Sequence, residues 1–293
     1  MQAFLHFSTN QAPEIFQEFV SSCHAVCEGD DIHLLSASDH LGHAAFFGLS
    51  KPVDADAMRN KAAALAIDCN VLSAPPRPKK LFLSDMDSTI ITSESLDEIA
   101  RLANLEDEIA PITARAMAGE IDFEQALDER LSLLKGKPKN LLDQVIADTT
   151  AFDGAKELVG TMRANGAHCL LVSGGFTFLT AHIKNLFGFH EDFANELAID
   201  GDSLAGFAHK PILDASAKLR LLRDYQAKFD LDIADIMTMG DGANDIPMLT
   251  EAGLGIAWQA KPLVKAQIGI QLSYSSLCGA LFLQGYRESN IVQ

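Results

Sequence analysis

Basic residues are scarce in this chain, and their scarcity excludes several classes of partner. The 293 residues include 23 lysines and arginines against 40 aspartates and glutamates, which gives a net charge of −17. A protein of that charge repels polyphosphate backbones and anionic lipid surfaces. We therefore expect no nucleic-acid partner and no membrane partner. An anionic substrate would need a local basic group or a metal ion in order to bind.

Cysteines and long apolar runs are also few. The five cysteines are odd in number and lack metal-ligand spacing, so we expect reduced structural thiols and neither a disulfide framework nor a zinc site. The N-terminus lacks a basic segment followed by a long apolar one, and no uncharged apolar run approaches the roughly 20 residues that span a bilayer. These absences predict a cytoplasmic protein, and the 48% of hydrophobic residues predicts a packed core.

Residues 1–75 alternate between short strand patterns and helix patterns. Apolar residues recur at helical spacing in 12–27 and 54–69, and four strand-like segments surround these two helices. The order strand–helix–strand–strand–helix–strand predicts a small ferredoxin-like α+β domain over residues 1–75. The stretch APPRPKK that follows is rich in Pro and Lys, so we assign a linker to residues 76–80.

From residue 81 onward the pattern is typical of an α/β protein. Four short apolar runs each end in a turn rich in Gly or Asp, and helical segments separate them: 81–84, 168–173, 235–240 and 253–258. This alternation predicts a doubly wound parallel sheet over residues 81–293, with ligands at the carboxyl ends of its strands. Between about 95 and 150 only helical patterns occur, so we expect a helical cap inserted after the first strand.

Two pairs of carboxylates follow predicted strands. Asp85 and Asp87 end the first strand in LFLSDMDSTI, two residues apart and therefore on one face, and Asp241 and Asp245 lie in GDGANDIPML. One aspartate can attack phosphorus while a second carboxyl group moves the proton. Either pair alone is equally consistent with a solvated turn. Four carboxylates at neighbouring strand ends would repel one another unless a cation bound there, and hard oxygen ligands favour Mg²⁺.

Two further segments carry groups that can hold a phosphate. In LLVSGGF, the Ser173 hydroxyl and the amides of Gly174 and Gly175 precede a helix pattern, where an anion binds readily. Lys218 in DASAKLRLL can act as a point charge toward phosphate. Each segment alone has an ordinary interpretation, since Ser and Gly often cap helices and a single Lys usually lies on a solvated surface.

The segments D-M-D-S-T, S-G-G-F, Lys218 and G-D-G-A-N-D, in this order, resemble the haloacid dehalogenase superfamily of phosphotransferases over about residues 79–285. Within it, the segments that end at Glu94 and surround Arg130 are similar to the phosphoserine phosphatases. The resemblance implies an α/β core with an inserted helical cap and Mg²⁺ as the cofactor. It also implies hydrolysis of O-phospho-L-serine through an aspartyl-phosphate, the last step of serine biosynthesis. An ACT-like N-terminal domain would fit it, and the fold pattern of that domain would fit a homodimer.

The resemblance also implies roles for individual residues. Asp85 would be the nucleophile and a metal ligand, and Asp87 the general acid and base, with its backbone carbonyl on the metal. Asp241 would be the remaining protein ligand, and Asp245 would lie directly behind it. The residues implied to hold the substrate are Ser173 and Lys218 for the phosphoryl group, Glu94 for the ammonium, Arg130 for the carboxylate, Gly174 and Asn244, and Met117 and Phe123 on the cap.

Two alternatives stay open at this point. A related phosphomonoesterase or phosphotransferase with another small substrate, such as phosphohomoserine or a phosphosugar, would share the same core. An amino-acid sensor with a vestigial catalytic domain is the other alternative, and the presence of every expected catalytic residue argues against it. Glu94 and Arg130 favour an amino-acid ester, because a guanidinium fork binds a carboxylate through two hydrogen bonds.

Overall fold

Four antiparallel strands and two helices form the N-terminal part of the protein. The computed structural model describes residues 3–117 and 119–293, and of Met117 it describes the backbone alone. The first six elements are β1 (Phe4–Thr9), α1 (Pro13–Cys27), β2 (His33–Ser38), β3 (Gly42–Gly48), α2 (Ala55–Ala63) and β4 (Asp68–Leu72). Their sheet order, β2-β3-β1-β4, is that of a ferredoxin-like domain and confirms the predicted element order.

The N-terminal sheet buries both of its faces. On one face, Phe7 and Phe47 pack against Phe16 of α1. On the other face, Leu35 and Ala44 pack against residues near the C-terminus of the chain. The domain therefore packs against the rest of the protein through this second face of its sheet.

The first strand of the second sheet leads directly into the cap. β5 (Leu81–Ser84) is followed by α3 (Ser95–Ala103), α4 (Glu106–Met117), α5 (Phe123–Leu133) and α6 (Leu141–Asp148). Asp122 caps α5, since its side chain accepts from Gln125 N at 2.8 Å, and the Gln125 side chain accepts from the backbone amide of Asp122. The predicted insertion of helices at about 95–150 is thus confirmed.

The remaining elements alternate between helices and strands, except that three strands follow one another after the second helix. They are α7 (Ala155–Ala164), β6 (His168–Phe176), α8 (Thr177–Phe187), β7 (Glu191–Asn195), β8 (Leu197–Asp200), β9 (Ser203–Ala208), α9 (Ala215–Lys228), β10 (Ile236–Gly240), α10 (Ile246–Glu251), β11 (Leu254–Trp258), α11 (Pro262–Lys265), β12 (Ile270–Leu272) and α12 (Gly279–Phe282). The parallel sheet has the order β12-β11-β10-β5-β6-β7, which confirms the α/β fold class.

The two edge strands of the parallel sheet, β7 and β12, were not predicted. β7 has the sequence EDFAN and β12 has only three residues, IQL, so neither shows the apolar run of a strand buried on both faces. The four predicted strands correspond to β5, β6, β10 and β11, which are the four interior strands of the sheet.

The cap contains an extended connection that its helical pattern did not indicate. The segment between α5 and α6 pairs with the hairpin β8–β9: Gly136 N donates to Leu204 O at 2.9 Å, and Leu204 N donates to Lys137 O at 2.8 Å. Lys139 N adds a bond to Asp202 O at 2.8 Å. The hairpin, although distant in sequence, therefore extends the cap.

A buried carboxylate joins the N-terminal sheet to the parallel sheet. Asp68 in β4 is 4% exposed and accepts from the backbone amides of Ser273, Tyr274 and Ser275 at 2.7 to 3.1 Å. The Ser275 hydroxyl donates to the same carboxylate at 2.7 Å. Buried polar groups are rarely left unpaired, so these four bonds fix one relative position of the two sheets.

The stretch predicted to be a linker lies against the core. Arg77 and Lys80 form ion pairs with Asp235 at 2.8 and 2.9 Å, and Lys79 N donates to Gln284 Oε1 at 2.9 Å. These contacts hold the linker in place, while the domain boundaries themselves stay a prediction. Within residues 3–117 and 119–293, no helix is both long enough and apolar enough to cross a membrane.

We expect Asp68→Ala to lower the free energy of unfolding by about 3 kcal/mol, because four donors in a buried turn lose their acceptor. Urea unfolding followed by fluorescence of the single tryptophan, Trp258 in β11, reports the stability of the parallel sheet. The exposed Asp39→Ala is the control. An unchanged Trp258 transition in Asp68→Ala would mean that the two sheets unfold independently.

Candidate active site

The predicted polar residues meet at the carboxyl ends of three adjacent strands. Asp85 follows β5, Gly174 lies near the end of β6 and Asp241 follows β10. These strands are neighbours in the order β10-β5-β6 and run parallel, so their ends lie along one edge of the sheet. A cavity of about 220 Å³ opens between this edge and the cap helices α3 and α5.

Asp85 is buried at the bottom of this cavity. Its backbone amide donates to Met239 O at 2.9 Å, which continues the pairing of β5 with β10. Its Oδ1 accepts from Met86 N at 2.8 Å, and its Oδ2 lies 2.9 Å from Lys218 Nζ. Burial and the nearby Asp245 carboxylate raise the pKa of Asp85 well above its ordinary value, although Lys218 opposes the shift.

Lys218 on α9 is a buried ion-pair partner and not a solvated surface residue. It is 1% exposed, and its ammonium contacts Asp245 Oδ1 at 2.6 Å as well as Asp85. Burial opposes its charge, but Asp245 and Asp85 together raise the pKa of Lys218. The second oxygen of Asp245 accepts from Gly242 N at 3.0 Å, so this carboxylate is held from both sides.

Asp87 has a different set of partners. Ser173 Oγ donates to its Oδ2 and Ser95 N to its Oδ1, both at 2.8 Å. Burial and the Glu94 carboxylate raise the pKa of Asp87 to about 6. A Cβ on Gly175 would lie 2.6 Å from Asp87 Oδ2, so glycine at this position allows β6 to approach the carboxyl group closely. A carboxyl group with this pKa can exchange protons near neutral pH.

The structure brings three carboxylates close enough to share a cation. One oxygen each of Asp85, Asp241 and Asp245 lies within 4.8 Å of the others. Burial raises the pKa of Asp241 as it does that of Asp85, which means that the charged forms lack sufficient positive charge around them. Such a set of buried oxygen donors fits a hard divalent cation.

The three carboxylates are not equally available to a metal ion. Both oxygens of Asp245 already bind Lys218 and Gly242, and both oxygens of Asp85 have partners in Met86 and Lys218. The contacts of Asp241 to Thr89 and Lys261 are longer, at 3.5 and 3.4 Å, so Asp241 is the freest donor. The Asp87 carboxylate is not a member of this cluster, since it is held by Ser173 and Ser95. The assignment of Asp85, Asp241 and the Asp87 carbonyl as ligands stays a prediction.

Two charged residues face the cavity from the side of the cap. Glu94 directly precedes α3 and accepts from Ser88 Oγ at 2.8 Å. Arg130 on α5 donates from Nε to Ala126 O at 3.0 Å, and no carboxylate of the described residues lies within ion-pair distance of its guanidinium. Burial lowers the pKa of Arg130, while Asp97 and Glu94 oppose the shift. Within the described part of the chain, Arg130 therefore forms no ion pair on the helix surface.

The other predicted residues fall into three groups. Phe123, Gly174 and Asn244 line the cavity, and the Phe123 ring is 40% exposed. Ser173 lies behind the wall, where its hydroxyl binds Asp87. Met117 is the last residue of α4, and its side chain lies outside what the structure describes.

Two features of the site differ from the sequence-based interpretation. Ser173 is not a helix cap, because β6 continues to Phe176 and α8 begins at Thr177. The cavity is also lined by Lys261, which the motif analysis did not single out. Lys261 follows the predicted strand β11, so the rule that ligands bind at strand ends would have indicated it.

Comparisons to known proteins identify the family of this chain. A family model for haloacid dehalogenase-like hydrolases matches residues 82–250. This chain belongs to the haloacid dehalogenase-like hydrolases. The resemblance that the motifs indicated is thus confirmed, and the matched segment contains Asp85, Asp87, Ser173, Lys218 and Asp241.

Its relatives include several phosphoserine phosphatases. A probable phosphoserine phosphatase of Schizosaccharomyces pombe is 38% identical over 237 residues, which are 80% of each chain. A haloacid dehalogenase-family hydrolase from Salmonella enterica serovar Typhi has a TM-score of 0.86 at 30% identity, over 96% of this chain and 98% of its own. A phosphoserine phosphatase solved as an analogue of its phospho-aspartyl intermediate has a TM-score of 0.65 at 36% identity, over 72% of this chain and all of its own.

We expect Asp87→Asn to stabilise the metal-free protein at pH 8 by about 2–3 kcal/mol, and to have little effect at pH 4. The pKa of Asp87 is raised from 3.8 to about 6, so its contribution to stability is complete below about pH 3.8 and is lost as the pH rises through about 6. The uncharged amide avoids that loss. Urea unfolding with a chelator present, at both pH values, measures the difference.

The exposed Asp202→Asn is the control for this measurement, since it makes the same chemical change on the hairpin turn outside the cavity. An equal gain at pH 4 and pH 8 in Asp87→Asn would contradict the raised pKa of Asp87.

Proposed function

We propose that this protein hydrolyses O-phospho-L-serine to L-serine and phosphate, with Asp85 as the nucleophile. The observation that carries the proposal is the set of charged groups that line one cavity. Asp85 and Asp87 line it from the core, and Glu94 and Arg130 line it from the cap. The relatives named phosphoserine phosphatases, and the solved phospho-aspartyl analogue, support the same substrate and the same nucleophile.

The chemistry follows from the different environments of the two carboxyl groups. An Asp85 oxygen attacks phosphorus, and the bond from phosphorus to the serine oxygen breaks. Asp87 in its protonated form gives its proton to that oxygen, and serine leaves. Asp87, now ionised, takes a proton from a water molecule that attacks the phosphoaspartate, which releases phosphate and restores Asp85. A pKa of about 6 allows Asp87 to serve in both directions.

The remaining charged groups support these steps. Lys218 favours the ionised form of the Asp85 carboxylate and orients it, because its ammonium lies between Asp85 and Asp245. Mg²⁺ held by Asp85 and Asp241 would offset the charge of the transferring phosphoryl group. Ser173 and Gly175 hold Asp87 in position: the serine hydroxyl donates to the carboxyl group, and the glycine leaves room for it.

Recognition of the amino acid is assigned to the cap. Phosphoserine carries an ammonium and a carboxylate besides its phosphate. Glu94 would bind the ammonium and Arg130 the carboxylate, since the guanidinium has no ion-pair partner among the described residues. A cavity of about 220 Å³ suits a small ester. Residues 1–75 would be an accessory domain, and both a homodimer and the cytoplasmic location stay predictions.

We expect Asp85→Asn to abolish phosphate release from O-phospho-L-serine, because an amide does not attack phosphorus. The protein should remain folded, since the substitution removes one member of a repelling carboxylate cluster. Phosphate release with and without Mg²⁺ measures activity, and mass spectrometry of acid-quenched wild-type enzyme detects phosphate on the peptide that contains Asp85. Turnover by Asp85→Asn, or phosphate on another residue, would refute this mechanism.

We expect Arg130→Ala to lower kcat/KM for O-phospho-L-serine by about 10²-fold, which corresponds to about 3 kcal/mol for a charged hydrogen-bonded pair. The loss for p-nitrophenyl phosphate should be below about threefold, because that ester has no carboxylate. Arg115→Ala on the neighbouring cap helix α4 is the matched control, since Arg115 pairs with Glu129 on the cap surface. Equal losses on both esters would favour a phosphatase for another small ester.

A further inference from the structure

The lining of the cavity carries more negative than positive charge. Four carboxylates line it, and of the described lining residues only Arg130 and Lys261 are cationic. Lys218 lies below the wall and is already shared by two carboxylates. The whole chain has a net charge of −17, so an anionic phosphate ester approaches an unfavourable electrostatic field. A cation at the open side of the cavity would reduce that cost.

Lys261 occupies this position. Its Nζ lies 3.4 Å from Asp241 Oδ2, while its side chain stays 59% exposed. Its backbone amide donates to Asp241 O at 3.0 Å, so the main chain itself is attached to the residue that follows β10. Lys261 therefore reaches the cavity from the core, next to the carboxylate cluster, whereas Arg130 reaches it from the cap.

The loop that carries Lys261 is held in an uncommon conformation. Gln259 has a φ of +39°, which places a non-glycine residue in the left-handed region. Its amide donates to Leu272 O at 2.7 Å, so the chain turns back immediately after β11. Pro262 follows Lys261 and begins α11. These constraints fix the backbone of Lys261 beside Asp241, while its exposed side chain keeps freedom to meet a ligand.

We propose that Lys261 is a substrate-binding cation that offsets the carboxylates at the cavity mouth and increases the affinity for the phosphate group. The inference rests on the proposed function, since it takes a phosphate ester as the ligand class. The positive charge of Lys261 has a second consequence. A positive charge beside Asp241 repels a divalent cation, so the same residue weakens Mg²⁺ binding. Lys261 thus changes the affinities for phosphate and for Mg²⁺ in opposite directions.

This opposition separates the proposal from a purely structural role. If Lys261 served only to orient Asp241, its removal would disturb the carboxylate cluster and weaken Mg²⁺ binding. If it supplies charge to the mouth, its removal strengthens Mg²⁺ binding and weakens phosphate binding. A partly exposed charge pair is typically worth up to about 1 kcal/mol, which corresponds to about a fivefold change in affinity.

The test compares Lys261→Met with Lys261→Arg in the full-length protein. Calorimetric titration with Mg²⁺ alone, and then with inorganic phosphate on the Mg²⁺-loaded protein, measures both affinities without turnover. For Lys261→Met we expect a phosphate Kd about 2–5-fold higher and a Mg²⁺ Kd about 2–5-fold lower. Lys261→Arg should leave the Kd values for phosphate and for Mg²⁺ close to those of the wild-type protein. Lys265→Met, on α11 outside the cavity, is the control and should change neither.

Turnover and salt give independent readouts. For Lys261→Met, KM for the phosphate ester should rise by a similar factor with little change in kcat, and the difference should shrink at high salt because exposed charges are screened. Weaker binding of both ligands, or no change in either, would overturn the proposal. Neither titration uses phosphoserine. If the protein did not hydrolyse phosphoserine, the titrations would therefore be unaffected, and the two proposals can fail separately.

Discussion

The repulsion among buried carboxylates at the ends of β5 and β10 is the constraint on which the rest of the site depends. Asp85, Asp241 and Asp245 hold oxygens within 4.8 Å of one another, which is costly at low dielectric. The ammonium of Lys218 offsets part of this charge from below, through contacts of 2.9 and 2.6 Å. The remaining negative charge faces the cavity, where a divalent cation and a phosphate ester would meet it. Without Lys218 the nucleophile would be driven toward its protonated, unreactive form.

Asp85 and Asp87, the two aspartates at the end of the first strand of the parallel sheet, lie in different chemical environments. Asp85 pairs with an ammonium, whereas Asp87 accepts from uncharged donors, the Ser173 hydroxyl and the Ser95 backbone amide. Burial raises the pKa of both carboxyl groups; Lys218 opposes the shift at Asp85, while at Asp87 the Glu94 carboxylate adds to it and the pKa reaches about 6. Two identical side chains, two residues apart, are thereby suited to attack and to proton transfer. The close approach of Gly175 makes the second environment possible.

The elements around the site are connected over long distances in sequence. The hairpin β8–β9 pairs with the segment between α5 and α6, so part of the cap is built from residues that follow β7. Asp68 joins the N-terminal sheet to the turn after β12. Leu272, the residue just before that turn, accepts a hydrogen bond from the backbone amide of Gln259. A continuous set of hydrogen bonds therefore runs from the N-terminal domain to the loop that carries Lys261.

The sequence by itself determined the central strands, the ferredoxin-like order of the first 72 residues, and the carboxylates at the strand ends, because apolar runs and the residues that follow them are local features. It also determined the family, through motifs that keep their order along the chain. Only the tertiary structure decided that Lys218 is buried between Asp85 and Asp245, that Ser173 binds Asp87 instead of capping a helix, and that Arg130 faces a cavity. It also decided the edge strands, the pairing of the hairpin with the cap and the position of Lys261. Each of these, apart from the position of Lys261 after a predicted strand, depends on contacts between residues far apart in sequence, for which a local pattern carries no signal.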